Sequence, residues 1–325
     1  MDIREPSEAA IEADCLTRNF GDLVAVDSVS FEVAAGEVFG FLGPNGAGKS
    51  TTARMLTGFI APNSGHVRIA GIDMSRQPSL ARRHIGVVPE EANVYADLSV
   101  WDNVMLMAEL YAVPKTVRVD RAKRLLARFE LDGRARQKGS ELSKGLRQRL
   151  ILCMALVSEP QILFLGEPTS GLDVASAHLI RDIVGEQNRE RGTTIFLTTH
   201  NMEEADHLCH RVAIIDKGHL AAIDTPSALR RRVEARRSVE VRFEQYQGSS
   251  VAFAAELDGV EVLAIADGFR AYGPSPGELA QAIAARASAL GMRITSISTL
   301  APTLEDVFLS ITSHVQAETR RREES

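Results

Sequence analysis

The period of hydrophobic and polar positions changes along the chain, and the changes mark the elements. Ile11 to Asp14 and Val29 to Val33 alternate well enough to predict two strands, with Leu16-Thr17-Arg18-Asn19-Phe20-Gly21 between them. Glu37 to Leu42 is a short apolar run that predicts a strand, and Thr52 to Gly58 reads as a helix. His66 to Ala70, ending at Gly71, and His84 to Val88, stopped by Pro89, predict two more strands. The spacing then turns helical from Val100 to Val113. Pro114 interrupts it, and it resumes from Val117 to Leu131. Ser143 stands where an N-cap belongs, and Lys144 to Ser158 continues as a helix with an apolar face. Gln161 to Leu165 and Thr194 to Thr199 are apolar runs of the kind that sit inside a parallel sheet, covered on both faces. Val174 to Arg191 is helical and stops at Gly192. A short helix starts at Met202, and Arg211 to Ile215 and His219 to Ile223 flank the hairpin turn Asp216-Lys217-Gly218. Strands alternating with helices predict an α/β layered core.

The pattern changes again at Arg230-Arg231-Arg232 and Arg236-Arg237, where a domain boundary is expected. These arginines read as a solvated linker face, with contact to a lipid headgroup or a partner as the other reading. Beyond them come strand 238–243, helix 249–256, strands 259–265 and 268–272, helix 276–290 and strand 293–298. That order, β-α-β-β-α-β, is a split βαβ sandwich. A helix from Thr303 to Thr312 follows. The expected organisation is a disordered lead-in at 1–11, a first domain at 12–229 with a helical insert at about 91–158, a second domain at 230–315, and a disordered tail at 316–325.

Composition narrows the class. A length of 325 residues suits two domains, and 45% hydrophobic with 25% charged residues is ordinary for a globular protein. The net charge of −6 argues against nucleic acid as a main partner. No apolar run approaches the roughly 20 residues that cross a bilayer. The acidic stretch from Met1 to Asp14 lacks the apolar core of a signal peptide. Cys15, Cys153 and Cys209 form neither a metal pattern nor a disulfide framework, which suits a reducing compartment and structural roles.

The chemistry begins at Gly43-Pro44-Asn45-Gly46-Ala47-Gly48-Lys49-Ser50-Thr51, which fits G-x-x-x-x-G-K-[ST] between a predicted strand and a predicted helix. Small residues let backbone N–H groups curl around a phosphate, and the new helix aims its unpaired N–H groups at the same anion. Lys49 adds a charge that reaches terminal phosphates, and the Ser50 hydroxyl can ligate the Mg²⁺ that accompanies a nucleotide. The stretch predicts a nucleoside triphosphate site.

Further stretches carry a resemblance. Leu142-Ser143-Lys144-Gly145-Leu146-Arg147-Gln148 resembles the signature motif of ABC ATPases. Glu167-Pro168-Thr169-Ser170-Gly171-Leu172-Asp173 follows an apolar strand as in that family, and His200 closes the next strand. All occur in the family's order over about residues 11–225. The resemblance implies an α/β fold: a phosphate-loop ATPase core with an antiparallel β subdomain and a helical insert, followed by a small α+β domain. It implies ATP and Mg²⁺ as ligands and a head-to-tail dimer, of like or unlike subunits, with two sites at its interface. Phe20 would stack on adenine. Residues 43–51 would hold the phosphates. Ser143 and Gly145 would contact the γ-phosphate held by the other subunit, and Asp173 would link the two sites. Glu167 would orient or deprotonate the attacking water, His200 would hold that water and the γ-phosphate, and Lys49 would serve catalysis as well as binding. Ser50 and Glu90 would stand at the metal.

The C-terminal stretch Leu304-Glu305-Asp306-Val307-Phe308-Leu309 is similar to exporters of the daunorubicin-resistance type, in which the ATPase pairs with a separate membrane chain. This resemblance implies a place on the cytoplasmic face of the plasma membrane, held through that permease. Glu91 to Tyr111 would receive the permease, with Tyr95, Leu98 and Trp101 as candidates; the alternative places Leu98 and Trp101 in the core of the insert.

Two positions depart from the family's pattern. Gly166 stands where the family's strand ends in Asp, and Glu90 stands where its loop offers Gln. Gly166 cannot hold Mg²⁺ or its water. Either Glu90 partly replaces the missing carboxylate, or Glu90 is a tolerated variant and Gly166 weakens hydrolysis. The readings are therefore an exporter ATPase, an ATP-binding clamp that hardly hydrolyses, and, last, a soluble ABC ATPase acting on ribosomes or DNA.

Overall fold

The computed structural model describes residues 9–91, 93–233, 237–244, 260–273 and 275–311. They form two compact units that divide between Thr225 and Pro226, four residues before the expected boundary.

The first unit opens with a long hairpin, β1 (Ala9–Phe20) and β2 (Leu23–Ala34). This differs from the two short strands that alternation predicts. Pairing of β1 with β2 shifts register between Ala13 and Leu16, where Cys15 has a left-handed φ of 48°. A bulge of this kind leaves a residue unpaired and breaks the period of two, so the pattern looks finished at Asp14. β1 also takes in the last three residues of the expected lead-in, 9–11. β3 (Val38–Leu42) leads through the phosphate loop into α1 (Lys49–Leu56), and β4 (Ser64–Ile69) and β5 (Ile72–Asp73) complete an antiparallel sheet of order β2-β1-β4-β5.

Next come α2 (Pro78–Ala81) and β6 (Ile85–Val88), then the insert helices α3 (Val100–Leu110), α4 (Lys115–Arg128) and α5 (Lys144–Leu156). The chain continues with β7 (Ile162–Gly166), α6 (Val174–Arg191), β8 (Thr194–Thr199), α7 (Met202–Leu208), β9 (Arg211–Asp216) and β10 (His219–Asp224). The second sheet runs β10-β9-β3-β8-β7-β6, parallel except for the edge strand β10. Phe31 of the first sheet packs on Phe39, Phe41 and Phe196 of the second, with ring centroids 5.4 to 5.9 Å apart. β3, β7 and β8 are buried nearly throughout because both faces of the sheet are covered.

The second unit contains α8 (Pro226–Arg232), β11 (Ser238–Phe243), β12 (Glu261–Ile265), β13 (Gly268–Tyr272), α9 (Pro276–Ala289) and β14 (Ile294–Leu300), and residues 304–311 are helical. Its antiparallel sheet runs β12-β13-β11-β14. Leu279, Ile283 and Ala287 of α9 cover Val239, Val241 and Phe269. The expected helix 249–256 and the tail lie outside the described residues.

Candidate nucleotide-binding and hydrolysis site

Four neighbouring parallel strands, β3, β8, β7 and β6, end on one edge of the sheet. The chain leaves them at the phosphate loop, His200, Glu167 and Glu90. That edge is where open α/β sheets take their ligands, because backbone N–H groups and following helix N-termini converge there. A cleft of about 500 Å³ lies over it, lined by Phe20, Ala25, Asn45, Gly46, Lys49, Ser50 and Glu90, among others. A larger groove of about 790 Å³, lined by Gln161, Thr193 and Thr194, lies at the opposite ends of β7 and β8 and contains none of the motif residues.

The loop needs its glycines. Gly48 caps α1 at φ 107°, and a Cβ there would lie 2.6 Å from the Ala25 carbonyl oxygen. A Cβ on Gly43 would lie 2.3 Å from the Ile215 oxygen. Ala47 is buried, whereas Pro44, Asn45 and Gly46 are exposed. The buried Lys49 ammonium donates to the carbonyls of Gly43 (2.7 Å) and Pro44 (3.1 Å), inside the loop's own curve. Burial lowers its pKa, while the charges of Glu167 and Glu90 oppose that shift. A cation so poorly hydrated gains strongly from an incoming phosphate.

Glu167 sits just beyond β7 at φ 45°, a left-handed conformation that is costly for a side-chain-bearing residue and tends to occur at functional positions. Its amide donates to Thr198 O at 2.9 Å, which ties the strained turn to β8. Its buried carboxylate lies 3.9 Å from Lys49 Nζ and 2.9 Å from His200 Nδ1, and accepts from Thr199 Oγ1 at 3.4 Å. The structure thus brings the three expected catalytic residues together. His200 is about half exposed and follows directly on the end of β8. The Ser50 hydroxyl donates to Glu90 Oε2 at 2.9 Å, which joins the two expected metal residues. An all-oxygen pair of hydroxyl and carboxylate at this spacing fits a hard cation such as Mg²⁺.

Phe20 is the last residue of β1 rather than a loop residue, and its ring is half exposed under the Arg18 guanidinium, 4.8 Å from the ring centroid. A flat face remains at the cleft. Ser143 caps α5, its hydroxyl accepting from Leu146 N at 3.4 Å, and Asp173 caps α6, accepting from Ser176 N at 2.9 Å. The two helix N-termini lie side by side. A Cβ on Gly145 would lie 3.2 Å from Ser176 Oγ, and Arg149 donates to that same hydroxyl at 3.2 Å. Ser143 and Asp173 are both exposed.

Sequence reasoning missed several supporting residues. Thr199 holds Glu167, and Thr169 donates at 2.7 Å to the fully buried Glu204. Asn103 is also fully buried. It accepts from Tyr95 N and donates to Ser99 O, both at 2.9 Å, and so fixes the loop that precedes α3. Of the three candidates on that surface, Tyr95 is exposed while Leu98 and Trp101 are half-buried. Phe59, 78% exposed, was not anticipated; it lines a cleft of about 570 Å³ with Pro89, Glu91 and Asn93.

Comparison with known proteins places this geometry. A sequence model of the ABC transporter family matches residues 26–170. A Nod factor export ATP-binding protein I from Mesorhizobium japonicum is 35% identical over 315 residues, which cover 96% of this chain and 89% of that protein. The chain belongs to the ABC transporter family. Another Nod factor export ATP-binding protein I, from Paraburkholderia xenovorans, is 43% identical to this ABC ATPase over 222 residues, covering 68% of this chain and 73% of the relative. A solved structure of the ATP-binding subunit of an ABC transporter superposes with a TM-score of 0.65 at 29% identity, covering 69% of this chain and 93% of that one. The ABC ATPase fold is thus an α/β phosphate-loop cassette. Among the described residues, no helix is long and apolar enough to cross a membrane.

Proposed function

We propose that this ABC ATPase binds ATP with Mg²⁺ and hydrolyses it to drive export of a small or lipid-like molecule through a separate membrane subunit. The observation that carries the reading is the Glu167 carboxylate, held between Lys49 and His200 at the strand ends beside the phosphate loop.

Residues 43–51 hold the phosphates through backbone N–H groups, and Lys49 leaves the loop carbonyls for the terminal phosphates. Phe20 stacks on the adenine. Ser50 and Glu90 hold the cation, which, when bound, neutralises charge on the phosphates. Glu167 accepts a proton from the attacking water or orients it, and His200 keeps Glu167 and that water in register. Ser143 and Gly145 at one helix N-terminus, with Asp173 at the next, face a nucleotide held by a second ATPase subunit of the same or another kind. The competent unit is a two-fold dimer with both sites at the interface. Phe59, Tyr95 and the rest of residues 93–99 form the surface for the permease, which keeps the subunit at the cytoplasmic face of the plasma membrane. The names of the Nod factor export relatives support export as the direction.

Mg²⁺-dependent ATP turnover by the purified chain tests this reading. Wild type turns over, and Glu167→Gln binds ATP but loses about 10²-fold or more of its rate. A wild type that binds ATP without turnover favours the second reading, an ATP-binding clamp, for which Gly166 is the motivating residue.

A further inference from the structure

Gly166 ends β7 and pairs with Thr198 of β8. Its φ does not lie in the left-handed region, so its backbone conformation is open to any residue. What forbids a side chain is space. A Cβ there would lie 2.7 Å from the Glu90 amide nitrogen and 3.2 Å from both Glu90 Cα and the Pro89 carbonyl carbon. These are backbone atoms, which cannot swing aside as the end of a long side chain can. β6 ends at Val88, paired with Leu165, so Pro89 and Glu90 turn directly across the bare end of β7. From there the exposed Glu90 carboxylate reaches the Ser50 hydroxyl at 2.9 Å. Glu90 therefore lines both the cleft over the phosphate loop and the cleft beside Phe59.

We propose that Gly166 and Glu90 are one device: the missing side chain at 166 lets the Pro89–Glu90 backbone close onto the strand end, and that approach delivers the Glu90 carboxylate to Ser50, where the pair holds the divalent cation of the bound nucleotide. The carboxylate has moved from the end of one strand to the loop after its neighbour. Gly166 is thus a positioning residue rather than a defect, and the site keeps its metal. A carboxylate added back at 166 displaces Glu90 instead of joining it, so Gly166→Asp brings no gain in metal affinity.

The inference rests on the nucleotide-binding reading, and the experiment separates the two. ATP affinity is measured by calorimetry on the full chain in EDTA and in Mg²⁺, and Mn²⁺ binding to the ATP complex is followed by electron paramagnetic resonance. The variants are Glu90→Gln, Gly166→Ala and the double substitution. In EDTA all four proteins bind ATP alike, which also shows that Gly166→Ala is folded at the phosphate loop. With the ion, Glu90→Gln and Gly166→Ala each lose about 10–100-fold in Mn²⁺ affinity, the range expected when a metal's protein partner is lost. The double variant loses no more than Glu90→Gln alone, because both act through one carboxylate. Wild-type Mn²⁺ affinity in Gly166→Ala, or losses that add in the double variant, overturns the inference. So does wild-type ATP binding that is indifferent to the ion. Absence of ATP binding in every buffer overturns the functional reading and this inference with it.

Discussion

Glu204 shows how one buried side chain shapes the site without touching its ligands. It is fully buried behind Glu167, and its Oε1 accepts from Thr169. Its Oε2 is buried without a hydrogen-bond partner among the described residues. Burial raises its pKa, the hydroxyls of Thr169 and Thr199 and the charge of Arg181 oppose the rise, and the charge of Glu167 adds to it. A carboxyl raised in the fold ionises first in the unfolded chain. Stability therefore falls as pH climbs from the ordinary carboxylate range through the raised value, and stays lower above it. Glu204→Gln removes this cost while its amide oxygen still accepts from Thr169. Thermal melts should show a gain for the variant at pH 8 that shrinks as the pH falls toward about 4. An equal gain at both ends would assign the effect to packing. Neither Glu204 nor Thr199 was legible in the sequence, because each matters through a neighbour that only the sheet brings near.

At the scale of elements, one buried polar side chain ties the loop before α3 to the start of that helix. The Asn103 amide group donates to the carbonyls of Tyr95 (3.1 Å), Leu98 (3.3 Å) and Ser99 (2.9 Å), and its oxygen accepts from Tyr95 N. Asn103→Leu fills the space but takes the acceptor from the part-buried Tyr95 N, while the three carbonyls keep backbone donors in Leu98 N, Gly139 N and residue 103's own amide. It should cost about 1–3 kcal/mol in a urea melt, because an unmet buried polar group bears its full desolvation penalty. Alanine at the exposed Tyr95 should leave that melt unchanged. Helices were the most legible elements. α3, α5 and α6 follow the helical period, and α5 and α6 start at the side-chain caps Ser143 and Asp173. β1 was less legible because its bulge at Cys15 breaks the alternation. α2 and β5 were missed since four and two residues are too few to establish a period.

At the scale of the whole molecule, two separate cores stand out. One lies between the first two sheets, around Phe31, Phe39 and Phe196; the other lies under α9, around Val241, Phe269 and Ile283. Units with their own cores unfold on their own. Calorimetry of the full chain should therefore show two transitions, with ATP and Mg²⁺ raising only the one that belongs to the phosphate loop, since a ligand stabilises the unit that binds it. A single transition that shifts as a whole would mean that the units unfold together.

The sequence by itself determined the local chemistry. The phosphate loop, the cap at Ser143, and the apolar strands on either side of Glu167 are written in neighbouring residues, since a turn, a cap or a buried strand depends on a few consecutive side chains. Only the tertiary structure decided what stands against Gly166. Read along the chain, it is a lost carboxylate. In the folded sheet its missing Cβ is the space that the Glu90 backbone occupies, with the Glu90 carboxylate 2.9 Å from Ser50. Residues 50, 90 and 166 are far apart in the chain, and they meet because β3, β6 and β7 end on one edge of the sheet. A pattern read along the chain cannot register a contact made across it.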